Sequence, residues 1–219
     1  MEDKHQKLIH SGMGFTADMT TSVTHELKNK LAIVNENAGI IQDFFYLEKQ
    51  GRPMDMSRIE AITHKIQDQI RAADAIIKKL NRFAHTMAVL EEEVDLEQTL
   101  QVLLELTDHL TVKGKCEITI MPPKRSVMVT TNSFYLQNLL WEAIKTACAP
   151  ENASKSIRIS FEGDNDTLPG LLFFCEKTQD MDSDDIPGLM KTLADYLRIR
   201  VRVLEEKNGF GLFWLKSKE

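Results

Sequence analysis

Apolar residues return every three or four positions through the first part of this chain. Val23, Leu27, Leu31, Val34, Ala38, Ile41 and Phe45 form one such line. Ile59, Ile62, Ile66, Ile70, Ala73, Ile77, Leu80, Phe83, Met87 and Leu90 form a second. That period predicts two long amphipathic helices, from about Phe15 to Gln50 and from about Ser57 to Leu90. Gly51-Arg52-Pro53-Met54-Asp55 breaks the pattern between them, and Asp55 or Ser57 offers an N-cap for the second helix. Two long helices joined by a short turn make an antiparallel hairpin. A single hairpin leaves much of each apolar line in water. The expected assembly is therefore a homodimer whose hairpins pair as a four-helix bundle.

The pattern changes at Glu91-Glu92-Glu93, which reads as an acidic hinge. Beyond it the elements are shorter and mixed. Leu96–Leu110, Ser133–Ala149 and Ile186–Leu197 carry helical periodicity. Cys116–Ile120, Val127–Val129, Ser156–Phe161, Gly170–Cys175, Ile199–Leu204 and Phe210–Leu215 read as strands, the last two joined as a hairpin across Lys207-Asn208-Gly209. The fold class expected is α plus α/β. A helical hairpin occupies residues 1–92, and an α/β sandwich with helices on one sheet face occupies 93–219.

Composition narrows the class further. A chain of 219 residues makes one large or two small domains. Its 42% hydrophobic and 27% charged content is ordinary for a soluble globular protein. A net charge of -6 and a pI near 5.6 argue against wholesale binding to nucleic acid. No apolar run is long enough to cross a bilayer, and Met1–Lys7 lacks the apolar core of a signal peptide, so a cytoplasmic location is expected. Cys116, Cys148 and Cys175 are scattered and odd in number, and read as buried reduced thiols rather than as a metal site or disulfide framework.

One histidine stands apart. His25 lies about 200° around the helix from Leu27 and about 180° from Val34, so it points away from the apolar line. Asn29 follows one turn later, and Glu26 is adjacent. An exposed imidazole beside a carboxylate is a candidate nucleophile with a proton acceptor at hand. A solvated helix face that carries a histidine by chance has the same periodicity. Of the other histidines, His5 and His10 fall in a stretch expected to fray. His64 and His109 lack ligand-spaced partners, and His85, which ends Arg82-Phe83-Ala84-His85, reads as a packing or surface residue. Trp141 follows a leucine pair on a buried-type helix and is expected in the core or an interface.

His25-Glu26-Leu27-Lys28-Asn29-Lys30-Leu31 resembles the phosphoacceptor box of bacterial two-component histidine kinases, with Lys30 where the family usually has proline. Arg71–His85 is similar to that family's second dimerisation helix, and Val94-Asp95-Leu96 resembles the entry to its ATP-binding domain. The resemblance implies that His25 is phosphorylated on a ring nitrogen and that Glu26 orients the imidazole and accepts its proton. It further implies that Glu26 and Asn29 match the Glu-x-x-Asn pattern used to dephosphorylate a response regulator. Lys28, Ala32, Asn35 and Glu36 lie near the His25 face and are expected to contact the regulator.

The nucleotide site departs from the family. Asn138-Leu139-Leu140-Trp141-Glu142-Ala143 places Glu142 where the family holds Mg²⁺ with asparagine. Glu176–Asp180 lacks the glycines of the family's adenine-binding turn. Asp180, Asp182, Asp184 and Asp185 cluster where a triphosphate would sit, with no room for a lid. Gly209-Phe210-Gly211 reads as part of a hairpin rather than a phosphate loop. The expected function is that of a phosphorelay histidine phosphotransferase built on a histidine kinase-like scaffold. It exchanges phosphoryl groups with a response-regulator aspartate, holds no cofactor or metal of its own, and leaves Mg²⁺ to the regulator. Three alternatives stay open: a kinase with a divergent ATP site, a regulator phosphatase, and a non-catalytic dimeric adaptor.

Overall fold

The computed structural model describes residues 2–113, 116–148, 156–163, 168–175, 186–204 and 209–215. The chain begins with two long helices, α1 (Glu2–Lys49) and α2 (Met56–Thr86). The elements β1 (Glu92–Asp95), α3 (Leu96–Lys113), β2 (Glu117–Ile120) and β3 (Met128–Thr131) follow. Then come α4 (Ser133–Ala147), β4 (Ser156–Glu162), β5 (Gly170–Cys175), α5 (Gly188–Tyr196), β6 (Ile199–Leu204) and β7 (Gly209–Trp214). This is the expected α plus α/β class. Packing divides the chain into two compact units, Thr20–Arg82 and the combination of Met1–Met19 with Phe83–Glu219.

The first unit is the helical hairpin. Gly51, at φ +84°, ends α1 in the left-handed conformation that glycine adopts without Cβ strain, while the Gly51 and Arg52 amides satisfy the last carbonyls of Glu48 and Leu47. Asp55 is the cap of α2: its Oδ1 accepts from the Ser57 and Arg58 amides at 3.1 and 3.3 Å. Val23, Ile62 and Ile76 are buried, whereas Leu31 is 60% exposed, Phe45 51%, Ile70 54% and Ile77 45%. The periodicity placed Ile77 on the buried line. The line that is closed runs instead through Ile62, Gln69 and Ile76, with the Gln69 Oε1 buried and lacking a partner. A second apolar line remains on the surface.

Helix α1 starts thirteen positions before Phe15, at Glu2, so the expectation of a frayed segment around His5 and His10 is overturned. The reason is packing. Leu8, Phe15 and Met19 continue the apolar spacing toward the N-terminus, and all three are buried in the second unit. Conversely, α2 stops at Thr86, leaving Met87 and Leu90 exposed rather than on a helical seam.

The second unit is an α/β sandwich. Five strands run in the order β2-β4-β5-β7-β6, with β2 parallel to β4 and every other neighbouring pair antiparallel. Pairing puts Ile157, Ile159, Leu171, Phe173, Phe210 and Leu212 on one face, and all six are buried. Helix α4 packs on that face, with α3 and α5 beside it. The Glu91–Glu93 hinge proves to be largely strand: β1 pairs antiparallel with β3 from Glu92↔Thr131 to Asp95↔Met128. Charged residues hid it, since a two-stranded ribbon with exposed positions needs no apolar alternation. The β6–β7 hairpin is as expected, although Lys207 and Asn208 lie outside the described residues. So do His109's side chain, Glu176–Asp180 and the acidic run Asp182, Asp184 and Asp185.

Candidate functional site

The box around His25 lies within α1, which continues unbroken through Lys30. Lysine there keeps the amide donor that proline would remove, so nothing forces a kink. At 100° and 1.5 Å per residue, His25, Asn29, Ala32 and Glu36 fall within an arc of about 60° over about 16 Å of helix. Lys28 and Asn35 flank that stripe, about 60° and 80° from His25. All six residues are exposed, and Glu26, one position round the helix from His25, is half-buried. The predicted residues are therefore brought together on one solvent-facing strip. Ala32 leaves a shallow spot on it, one heptad beyond the histidine.

Helix α4, which carries the residues matched to the family's nucleotide helix, has a different environment. Asn132 caps it, accepting from the Tyr135 amide at 2.9 Å while its Nδ2 donates to the Leu90 carbonyl at 2.9 Å. Asn138 is 0% exposed, and its Nδ2 donates to the Ser11 hydroxyl at 2.8 Å. Trp141 is buried as expected, and its indole N–H donates to Asp18 at 3.0 Å. Phe134 packs against Phe15 and Phe83, with ring centroids 5.7 and 6.1 Å away. A Cβ on Gly12 would sit 3.0 Å from the Phe134 ring, which is why a glycine faces it. Ser11, Gly12, Phe15 and Asp18 thus cover α4. The sequence reading missed Ser11 and Asp18; the signal available was the apolar spacing Leu8, Phe15 and Met19 upstream of the box.

Glu142, at the position the resemblance assigns to magnesium, is ion-paired with Lys145 at 2.7 Å. A metal–triphosphate bound there would have to displace Ser11 from Asn138 and Lys145 from Glu142. Glycines 209 and 211 have structural work instead. A Cβ at Gly209 would strike the Phe173 carbonyl oxygen of the neighbouring strand, and one at Gly211 would meet the Phe213 ring at 2.5 Å. Among the described residues, no group of three or more His, Cys, Asp or Glu side chains is placed to hold a metal ion. No described helix is long and apolar enough to cross a membrane.

No protein-family model matches the chain, and no curated protein matches it. Among solved structures it is similar to the Acinetobacter baumannii histidine kinase AdeS at 14% identity, over 87% of this chain and 96% of that one, with a TM-score of 0.48. It is also similar to the cytoplasmic segment of histidine kinase QseC at 13% identity, over 66% of this chain and 95% of that one, with a TM-score of 0.42. The catalytic domain of histidine kinase ThkA gives 13% identity over 57% of this chain and 94% of that one, with a TM-score of 0.47.

Proposed function

We propose that this chain is a phosphorelay histidine phosphotransferase, in which His25 accepts a phosphoryl group from a response-regulator aspartate and hands it to another. The observation that carries the reading is the exposed strip of His25, Asn29, Ala32 and Glu36 on an unbroken helix, with Glu26 adjacent. An imidazole nitrogen attacks phosphorus in line with the aspartyl oxygen. The N–P bond forms as the O–P bond breaks, and the aspartate leaves as a carboxylate. Glu26 orients the ring and takes up its proton. Mg²⁺ belongs to the regulator, where it neutralises the transferring phosphoryl oxygens. Lys28, Asn29, Ala32, Asn35 and Glu36 form the regulator's contact surface.

Nucleotide is not part of this reaction. The cover over Asn138 and the Glu142–Lys145 pair support that reading. A homodimer completes it: Leu31, Phe45, Ile70 and Ile77 are the exposed apolar line that a second hairpin would bury. The test is incubation with labelled ATP·Mg²⁺ and, separately, with a phosphorylated receiver domain. Label is expected on His25 from the receiver only. Label from ATP would overturn the phosphotransferase reading in favour of a kinase. Loss of receiver phosphate with none reaching His25 would replace it with a phosphatase that works through Glu26 and Asn29.

A further inference from the structure

Three thiols far apart in sequence lie toward one end of the sandwich. Ile118 pairs with Ile157 across β2 and β4, and Ile157 pairs with Cys175 across β4 and β5. Paired residues share a sheet face, and Cys116, two positions before Ile118, falls on that face too. It is the buried face beneath the helices, and both Cys116 and Cys175 are buried. Cys148 is the C-cap of α4, its amide bonded to the Ile144 and Thr146 carbonyls. Its half-buried thiol hydrogen-bonds with that of Cys116 and lies within electrostatic reach of Cys175.

Geometry selects which sulfurs can join. β2 and β5 flank β4 and Cys116 lies two positions out of register with Cys175, so the two sit about 12 Å apart, beyond the roughly 7 Å between Cα atoms that a disulfide spans. Cys148 is the partner available to either, and its hydrogen bond goes to Cys116. We infer that Cys116 and Cys148 are a reversible dithiol–disulfide pair oxidised by hydroperoxides. Burial, reinforced by the neighbouring sulfurs, pushes the Cys148 thiol well above the usual thiol range. Cys148 therefore keeps its proton, and the first oxidation is assigned to the Cys116 sulfur beside it. The Cys116 sulfur takes the distal peroxide oxygen, the O–O bond breaks, and the leaving oxygen departs as water or alcohol with the thiol proton. The Cys148 sulfur then attacks the sulfenic sulfur. The S–S bond forms, the S–O bond breaks, and water leaves with the second thiol proton. Two thiols lose two electrons in all, and one hydroperoxide gains them.

The test uses the full chain. After exposure to hydrogen peroxide and removal of excess oxidant, thiols are titrated in denaturant and the blocked protein is digested without reductant for mass spectrometry. The thiol count is expected to fall from the three of the sequence to one. The linked peptides should contain Cys116 and Cys148, and dithiothreitol should restore all three thiols. Cys175→Ser should form the same link, and Cys148→Ser should form none. Three thiols surviving peroxide, a Cys148–Cys175 link, or conversion to sulfinic and sulfonic acids without a link would each overturn the inference.

Discussion

Adding one methyl group at two glycines should have opposite effects. Gly209 begins β7 and pairs with Phe174 of β5. A Cβ there would collide with the Phe173 carbonyl oxygen and lie 3.0 Å from its carbonyl carbon. The obstacle is backbone inside a paired strand, so no side chain can rotate away. Relief requires β5 and β7 to separate locally, and overpacking of this kind costs about 1–3 kcal/mol, with a rigid obstacle toward the upper end. Gly39 lies within α1, and a Cβ there meets nothing within 4 Å. Gly39→Ala removes the entropy penalty of a mid-helix glycine and should gain about 0.5–1 kcal/mol. Identical chemistry should thus differ by about 3 kcal/mol between the two positions. Trp141 and Trp214 are both buried in the α/β unit, so their fluorescence in urea reads the Gly209→Ala effect. Gly39 belongs to the helical unit, where circular dichroism is the probe, because two units need not unfold as one transition. If Gly209 instead served a phosphate loop, its alanine variant would leave the urea midpoint in place. A shift under about 0.5 kcal/mol would refute the packing argument.

His25→Gln should abolish phosphoryl acceptance while changing stability by less than about 0.5 kcal/mol, since the residue is exposed; receiver phosphotransfer and urea unfolding, run in parallel, check both halves. Asp18→Ala removes the acceptor of the Trp141 indole and should lower the stability of the α/β unit by about 1–3 kcal/mol, seen in the tryptophan urea transition. The Ser126 hydroxyl holds the Asp95 carboxyl below its usual range. A depressed folded value stabilises above the ordinary carboxylate pKa of about 3.9 and is lost as pH falls through the lowered one. The stability gap between wild type and Ser126→Ala should therefore be full at pH 6 and close on acidification below 4. Cys148, whose thiol burial pushes upward, should alkylate with iodoacetamide at pH 8 far more slowly in the folded chain than after unfolding.

Much of this fold was legible because its elements are strongly periodic. Gly170–Cys175 and Ile199–Leu204 match their strands residue for residue, since each is a short apolar or alternating run closed by polar neighbours. What escaped prediction lacked local contrast. β1 is Glu92-Glu93-Val94-Asp95, whose strand character comes from its partner β3 and not from its own side chains. The first turns of α1 carry the polar run Lys4, His5, Gln6 and Lys7, which hides their helix from local composition, although Leu8 and Phe15 are spaced to pack. Ile76 and Ile77 are adjacent, and periodicity alone cannot decide which faces the partner helix. The heptad step from Ile62 through Gln69 decides it, and a polar residue at the middle position concealed that step.

The site was legible to a different degree at each of its two ends. Exposure on a helix follows from angle, so the strip of His25, Asn29, Ala32 and Glu36 could be placed from sequence alone. The state of the α4 face could not, because its cover comes from residues more than a hundred positions away. Ser11 reaches Asn138 and Asp18 reaches Trp141 only once α1 has been laid along α4. The same asymmetry explains the cysteines. Cys116 and Cys175 are buried as expected and Cys148 is half-buried, but their convergence depends on the parallel pairing of β2 with β4, a contact across an intervening helix. Surface chemistry here is local and can be read from spacing. Buried polar chemistry is set by topology, so the substitutions at Asp18, Gly209 and Cys148 test the fold's long-range pairing more directly than any change at His25.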